Sequence, residues 1–479
     1  MNKGIIVYIL GWILKLEAVL LLLPSVTAII YREPVLVYYL GVAALCAVLG
    51  FFLSHKKPQS HIFFAKEGFV TVSLSWIVLS IFGCLPFFLS GEVPRFEDAM
   101  FEIVSGFTTT GASVIPVIED VSMATRLWRS FTHWIGGMGV LVFLLTILPM
   151  AGDYNMHIMR AESPGPSVGK LVPKIRFTAK LLYSIYLFMT VVMFVLLAVG
   201  GMPVFDNLCM TFGTAGTGGF SCRNNGQLGY TPYQQDVISI FMLLFGVNFN
   251  VYYLILIRKV KDAFRCEEMR GYFAIVAAAI VLIAINTHHL FTSWGETFHH
   301  ALFQVSSIIT TTGYASADFN QWPEFSKCIL LLLMFIGACA GSTGGGIKVS
   351  RIMIGFKEIM KEMRSVIHPR SVKVIKFENK PLDHGMLRSI NAFFLLYMLI
   401  FAASVLIVSL DNFDFMTSFS AVASCLNNIG PGLGEVGPMS NFGVLSPLST
   451  VVLTFDMLAG RLELFPVLVL LSPGTWRRH

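Results

Sequence analysis

The sequence predicts an all-α integral membrane protein, with two N-terminal spanning helices followed by four helix–half-helix–helix repeats. Composition is the first reason. The 479 residues are 55% hydrophobic and only 13% charged, with a mean hydropathy of +0.72. A soluble chain of this length has too little surface for that, and several runs reach the roughly 20 apolar residues that cross a bilayer. Internal repetition is the second. Phe107-Thr108-Thr109-Thr110-Gly111, Ala215-Gly216-Thr217-Gly218-Gly219, Thr310-Thr311-Thr312-Gly313-Tyr314 and Asn427-Asn428-Ile429-Gly430-Pro431 read alike. Each follows a short apolar segment between long hydrophobic runs. The central glycines, Gly111, Gly218, Gly313 and Gly430, lie 107, 95 and 117 residues apart.

The layout follows the apolar runs. Residues 4–30 and 34–54 read as two spanning helices joined at Tyr31-Arg32-Glu33. The first run is too long for a cleaved signal peptide, holds Lys15 and Glu17, and lacks a small-residue cleavage site. Repeat one has helices near 68–89 and 127–150, repeat two near 179–199 and 236–257, repeat three near 272–292 and 325–347, and repeat four near 389–410 and 448–471. This makes ten spanning helices, divided as 1–60, 61–170, 171–268, 269–385 and 386–479.

Basic residues orient these helices. Lys56, Lys57 and Lys66 share one connector, Arg160, Lys170, Lys174, Arg176 and Lys180 a second, and Arg258, Lys259, Lys261, Arg265 and Arg270 a third. The stretch from Lys348 to Arg388 is basic, and Arg477-Arg478 follow near the end. Basic connectors favour the cytoplasmic side. Both termini are then cytoplasmic, and all four glycine loops open toward the outer face. The charges are spread over separate connectors, which argues against a nucleic-acid surface.

The segments before the loops, Asp98–Phe107, Phe205–Phe212, Thr297–Ile309 and Phe415–Cys425, are too short to span about 30 Å of hydrocarbon at about 1.5 Å per residue. As half-helices entering from outside, they aim the negative ends of four helix dipoles at one centre, which favours a cation. The loops leave backbone carbonyls unpaired, tolerable at membrane depth only beside a water- or ion-filled cavity. Glycine permits the backbone angles this needs, and a ring of such carbonyls replaces the hydration shell of a monovalent cation. The candidate ion-facing residues are Thr109, Thr110 and Gly111; Gly216, Thr217 and Gly218; Thr311, Thr312 and Gly313; and Asn428, Ile429 and Gly430.

A second feature lies below this level. Gly341, Ser342, Thr343, Gly344, Gly345, Gly346, Ile347 and Lys348 interrupt the second helix of repeat three. Each glycine costs a helix about 1 kcal/mol relative to alanine, so a mobile loop is expected here. A phosphate-binding loop would need Gly-Lys-Ser/Thr at its end; Ile347 separates Gly346 from Lys348, and Val349 follows. Arg461 sits inside the last spanning helix, where a charge is costly and must face a pore or a partner. Glu463, Asp456 or a carbonyl could pair with it; alternatively it lines the pore.

The four glycine segments resemble the filter segments of the Trk/Ktr/HKT potassium transporters, and the resemblance covers nearly the whole chain. The two additional N-terminal helices are more similar to the Trk membrane subunit than to the shorter Ktr one. The resemblance implies four helix–pore-half-helix–helix units around one pore, potassium-channel-like but with a simpler selectivity filter. It implies potassium as the transported ion, Gly341 to Gly346 with Lys348 as an intramembrane gating loop, and Arg461 as a pore cation. It also implies a homodimer in a bacterial cytoplasmic membrane, and a cytosolic TrkA-like regulatory subunit that binds NAD or ATP. This chain has no dinucleotide-binding unit, so no cofactor is expected in it. The fourth segment departs from the pattern, with Ile429 before Gly430.

Other features point elsewhere and carry less. His288-His289 and His299-His300 flank an outer turn with no acidic or cysteine partner recurring nearby, so solvated histidines are expected. The eight cysteines form no CxxC pair. Lys15 and Glu17 are not spaced to pair with each other. Val349 to Ile367 reads as an amphipathic helix, and Ser371 to Phe377 alternates like a strand. A sodium-permeant or sodium-coupled relative is the nearest alternative. An inverted-repeat transporter of a small solute would show two inverted halves, whereas an even number of crossings separates these loops. Few polar groups converge within the bilayer, so no enzyme activity is expected.

Overall fold

The computed structural model describes residues 2–56, 64–139, 175–224, 226–369 and 374–476. The chain opens with α1 (Lys3–Leu20), α2 (Leu22–Tyr31) and α3 (Leu36–His55). The single helix expected over 4–30 is interrupted at Leu21. Pro24 accounts for this, because it has no N–H to offer the Leu20 carbonyl and its ring crowds that carbonyl. Helix α1 lies on α3 through facing glycines. A Cβ on Gly11 would sit 2.7 Å from the Ser54 nitrogen, and one on Gly50 2.7 Å from the Gly11 carbonyl oxygen. Such close backbone approach is how small residues join helices in lipid.

Repeat one consists of α4 (Ala65–Ser90), the half-helix α5 (Phe96–Phe107) and α6 (Met123–Gly137). Repeat two has α7 (Ile175–Val199), the half-helix α8 (Val204–Gly216), α9 (Pro232–Phe245) and α10 (Phe249–Leu256), then the short connector helix α11 (Val260–Arg265). Repeat three has α12 (Glu267–Thr287), the half-helix α13 (Trp294–Ile309), α14 (Glu324–Ile336) and the amphipathic α15 (Val349–Ile367). A two-stranded hairpin, β1 (Lys376–Phe377) with β2 (Lys380–Pro381), follows. Repeat four has α16 (His384–Val408), the half-helix α17 (Phe415–Asn427), α18 (Pro447–Arg461), α19 (Phe465–Leu471) and α20 (Pro473–Trp476).

The half-helices match expectation closely. They contain 12, 13, 16 and 13 residues, or about 18–24 Å at 1.5 Å per residue. Their first turns hold Glu97 and Asp98, Asp206, and Glu296, while Asp414 caps the fourth through the Thr417 N–H at 3.3 Å. None has a basic residue in its last turn. Acid thus meets the positive end of each dipole, and the negative ends are left for something else.

The second helices differ from expectation. All four stop at a corresponding point: α6 at Gly137, α9 at Phe245 with α10 leaving at 89°, α14 at Ile336 and α18 at Arg461. Only the third break was expected, and it begins at Gly337 rather than Gly341. Six helices among the described residues are long and apolar enough to cross a membrane, or seven if α9 and α10 are one span. Among the described residues the shortfall from ten falls on the second helices, that of repeat one being described only as far as residue 139. Their freed carbonyls find partners in one another's loops: Gly246 accepts from the Cys339 N–H at 3.1 Å, as backbone at membrane depth requires.

Helix α15 spans the residues expected for it. Of the strand expected over 371–377, residues 371–373 lie outside the described residues, and β1 occupies Lys376–Phe377, paired antiparallel with β2 through Lys376↔Pro381. Glu378 in its turn accepts the Glu268 N–H at 3.0 Å and so hooks the hairpin onto α12. The basic residues Lys57, Arg160, Lys170, Lys174, Arg477 and Arg478, and the repeat-one helix beyond residue 139, lie outside the described residues.

Candidate functional site

Each half-helix ends in the same backbone motif. Thr109, Thr217, Thr311 and Asn428 adopt the left-handed conformation, with φ of 57°, 54°, 58° and 57°. The following N–H turns back to the helix: Thr110 to Ser105 at 2.9 Å, Gly218 to Gly213 at 2.8 Å, Thr312 to Ser307 at 2.8 Å and Ile429 to Ser424 at 2.9 Å. The left-handed residue itself bonds three positions back, completing a Schellman cap. Glycine or asparagine normally takes this place. A β-branched threonine there is strained by roughly 1–2 kcal/mol, so three of the four ends hold an unfavourable conformation.

A glycine with positive φ comes two residues later. It is Gly111 at 82°, Gly219 at 81°, Gly313 at 85° and Gly430 at 107°. In repeat two the conformational counterpart is therefore Gly219, one residue beyond the glycine chosen from sequence. Gly218 has a different reason to be glycine, since a Cβ there would overlap the His133 ring. Gly216 is likewise a packing position, because its Cβ would overlap the His133 carbonyl.

These four glycines and their predecessors form a closed circuit. A Cβ on Gly111 would overlap the Gly218 carbonyl oxygen, one on Gly219 that of Thr312, and one on Gly313 that of Ile429. One on Gly430 would lie 2.8 Å from the Thr110 oxygen. Every loop thus touches the next in order, and the fourth touches the first. The carbonyls of Thr110, Gly218, Thr312 and Ile429 occupy corresponding places in the circuit.

Polar groups behind the loops hold them in shape. Buried Glu102 accepts from the Val114 N–H at 3.0 Å, from the Ser113 hydroxyl at 3.0 Å and from Arg129 Nε at 2.6 Å. In repeat three, Ser307 Oγ donates to the Tyr314 carbonyl at 2.6 Å, and Gln304 Nε2 to that of Ala317 at 3.3 Å. In repeat four, Ser420 Oγ accepts the Leu433 N–H at 2.8 Å and Ser424 Oγ donates to the Gly430 carbonyl at 2.6 Å. Sequence reasoning missed Glu102, Arg129 and His133. Ionisable residues inside otherwise apolar runs were the available signal.

The glycine-rich loop of repeat three lies directly against these ends. The Gly345 N–H donates to Thr311 Oγ1 at 2.6 Å, Thr217 Oγ1 to Thr343 Oγ1 at 3.3 Å, and the Gly346 N–H to the Asn427 carbonyl at 3.0 Å. The Ser342 hydroxyl bonds the Cys339 carbonyl at 2.6 Å, and Gly341 accepts from the Phe249 N–H at 3.0 Å. Lys348 is buried and donates to the Gly344 carbonyl. Arg461 completes the layer. Its Nη1 donates to the Thr343 carbonyl at 2.9 Å, and its Nη2 to those of Gly136 and Gly137 at 2.6 and 3.0 Å. Of the partners considered from sequence, these bonds go to carbonyls; Glu463 instead pairs with Arg351 at 2.5 Å.

The outer histidines are not simply solvated. His299 places Nδ1 2.8 Å from Asp236 Oδ1 and Nε2 2.7 Å from Gln235 Oε1, so an acidic partner does exist. His300 bonds Ser316 at 2.9 Å, and His288 stacks on Trp294 at 3.8 Å. Among the described residues no group of three or more histidine, cysteine or acidic side chains is placed to hold a metal. Lys15 lies over the Trp12 ring at 4.5 Å and the Phe51 ring at 5.6 Å, while Glu17 is buried against α4 near Gly83.

The same architecture is found in known proteins. A family model described as "TrkH: Cation transport protein" matches residues 37–476. The chain is 36% identical to the Trk system potassium uptake proteins TrkH of Salmonella typhimurium and Escherichia coli, over all of this chain and all of each relative. It is 33% identical to TrkG of Escherichia coli, over 99% of this chain and 98% of that one. The crystal structure of the potassium transporter TrkH from Vibrio parahaemolyticus superposes with a TM-score of 0.89 and 33% identity, covering 100% of both chains. The fold is thus four helix–pore-half-helix–helix repeats around one pore with two added N-terminal helices, in a multi-pass membrane protein. The chain belongs to the TrkH family of cation transport proteins.

Proposed function

We propose that this protein carries potassium into the cell across a bacterial cytoplasmic membrane. The closed circuit of four glycine loops is the observation that carries the reading. Potassium enters from outside, drawn by the four negative half-helix ends. It sheds water as the carbonyls of Thr110, Gly218, Thr312 and Ile429 take its place, and their number and placement select it over sodium. The relatives named as potassium uptake proteins support potassium as the substrate. Because Ile429 and Asn428 make the fourth segment unlike the other three, a sodium-permeant ring is the second reading.

The gate in this proposal is the loop from Gly341 to Lys348 together with Arg461. Their hydrogen bonds to Thr311, Asn427, Gly136 and Gly137 support a closed arrangement. A fixed positive charge about 6 Å from a passing cation opposes it by roughly 3 kcal/mol at an effective dielectric near 20. Helix α15 leaves this loop and exposes Phe356, Ile359, Met363 and Val366. It is the element through which a TrkA-like cytosolic subunit, carrying NAD or ATP, would act. Basic connectors support cytoplasmic termini, and the functional unit is a homodimer with one pore per chain.

The test is potassium-dependent growth of a strain lacking its own uptake systems, with Gly313→Ser as the control. Rescue that ignores this substitution contradicts the filter assignment, and competition by sodium in a flux assay separates the two ion readings.

A further inference from the structure

The second loop is held in part from outside its own repeat. In repeats one, three and four the half-helix supplies its own polar bracket: Glu102, then Gln304 and Ser307, then Ser420 and Ser424. At the positions of α8 that correspond to Ser307 and Gln304 stand Gly213 and Met210. Gly213 has no polar side-chain group, and Met210 offers only its sulfur, which accepts from Gln227 Nε2 at 3.1 Å. Asp206 of α8 reaches farther along the loop, accepting from Arg223 Nη2 at 2.5 Å and Cys222 Sγ at 3.6 Å, but Phe220, next to the positive-φ glycine, is held from the neighbouring repeats. The Phe220 N–H donates to His133 Nε2 at 3.2 Å, and the Phe220 carbonyl accepts from the Tyr314 hydroxyl at 3.4 Å.

His133 belongs to α6 of repeat one. Its Nδ1 lies 2.7 Å from the Gly106 carbonyl, near the end of half-helix α5. These partners fix its chemistry. A backbone N–H only donates and a carbonyl only accepts, so Nε2 carries the lone pair and Nδ1 the proton. The ring is neutral, fully buried, and set against Phe220 with centroids 4.3 Å apart. It also lies over the Cα of Gly218, where a Cβ would overlap it.

We propose that His133 is a positioning residue for cation selectivity, holding the Gly218 carbonyl in the ring from outside its own repeat. It ties the end of the first half-helix to the ascending strand of the second loop, and the glycine at 218 exists to admit it. The proposal rests on the reading of the four loops as a potassium filter. It adds that one quarter of that filter is placed by an imidazole.

The test is the potassium-to-sodium flux ratio of purified, full-length protein in liposomes. His133→Leu removes both hydrogen bonds and lowers the ratio about tenfold while cations still pass, within the range that misplacing a site group by ~1 Å produces. His133→Gln can donate to Gly106 and accept from Phe220 with one amide, and keeps the ratio within about threefold of the parent. A parental ratio in the Leu variant overturns the proposal, as does loss of selectivity in the Gln variant. If the Leu variant fails to insert, the Gln variant decides alone by the same criterion. A parent protein with no preference between the two ions would instead sink the underlying filter reading, which keeps the two failures apart.

Discussion

Arg351 and Glu463 meet in a two-point ion pair, Nη2 to Oε2 at 2.5 Å and Nη1 to Oε1 at 3.3 Å. Arg351 lies in the first turn of α15, just after the glycine loop. Glu463 lies two residues after Arg461, in the break between α18 and α19, at a left-handed φ of 57°. The pair therefore joins the element that leaves the loop to the one that presents Arg461. Arg351 also stacks on Phe393 at 4.2 Å, which fixes its guanidinium plane.

Loss of this pair should loosen the layer formed by the glycine loop and Arg461. Glu463→Gln is expected to lower the thermal midpoint of the detergent-solubilised protein and to raise basal potassium flux, since the buried Arg351 is left with a weaker partner. Removing one side of a buried pair costs up to 3–5 kcal/mol, and partial exposure here reduces that to about 1–2 kcal/mol. The swap Arg351→Glu with Glu463→Arg should recover part of both effects. Equal stability and flux in the single variant would remove the pair from the gating proposal.

Arg461→Ala removes three carbonyl contacts and a positive charge from the same layer. Potassium flux in liposomes is expected to rise by about tenfold or more, since lowering a barrier by ~1.4 kcal/mol gives tenfold and the charge opposes the ion by roughly twice that. Arg461→Lys keeps the charge without the planar fork, and should resemble the parent in flux more than the alanine variant does. A correctly inserted alanine variant with unchanged or lower flux would argue that Arg461 only braces the loops.

The two glycines of repeat two should fail for different reasons. A Cβ on Gly219 meets the Thr312 carbonyl in a conformation that disfavours any side chain, so Gly219→Ala should abolish growth on low potassium whatever its neighbours are. A Cβ on Gly218 meets the His133 ring. Gly218→Ala should therefore be harmful alone and partly relieved when combined with His133→Ala, giving a coupling of about 1 kcal/mol or more in a double-mutant cycle. Simple additivity at Gly218, or relief at Gly219, would show the assignment to be reversed.

That pair of glycines also marks the limit of what could be read from the chain. The half-helices were legible because short apolar segments precede Thr-Gly or Asn-Ile-Gly, and α15 because its charges recur with helical spacing. Choosing Gly218 over Gly219 was not possible locally, since two adjacent glycines satisfy the repeat equally well. The deciding contact, with His133, comes from another repeat. The same holds for His299, whose partner Asp236 stands 63 residues away. The breaks in the second helices of repeats two and four were hidden because each is only a few residues long, inside mostly apolar runs.

The strained threonines give a stability test. Thr109 is left-handed, and its hydroxyl has no hydrogen-bond partner among the described residues. Thr109→Gly should relieve backbone strain and leave the thermal midpoint equal or higher, offset by the added freedom of the unfolded chain, for a net change within about 1 kcal/mol. Thr311 is left-handed too, but its hydroxyl receives the Gly345 N–H at 2.6 Å. Thr311→Gly should cost the contact between the glycine-rich loop and the end of α13 and raise basal flux, while Thr311→Ser should not. Identical behaviour of the two glycine variants would contradict this distinction.

The carbonyl circuit is tested most directly by locating the ion. Crystals of the protein grown with rubidium or thallium in place of potassium should give an anomalous peak enclosed by the carbonyl oxygens of Thr110, Gly218, Thr312 and Ile429, and adding sodium should not displace it. A peak lying elsewhere, or no peak in this ring from a preparation that still transports potassium, would contradict the assignment of these four loops as the filter.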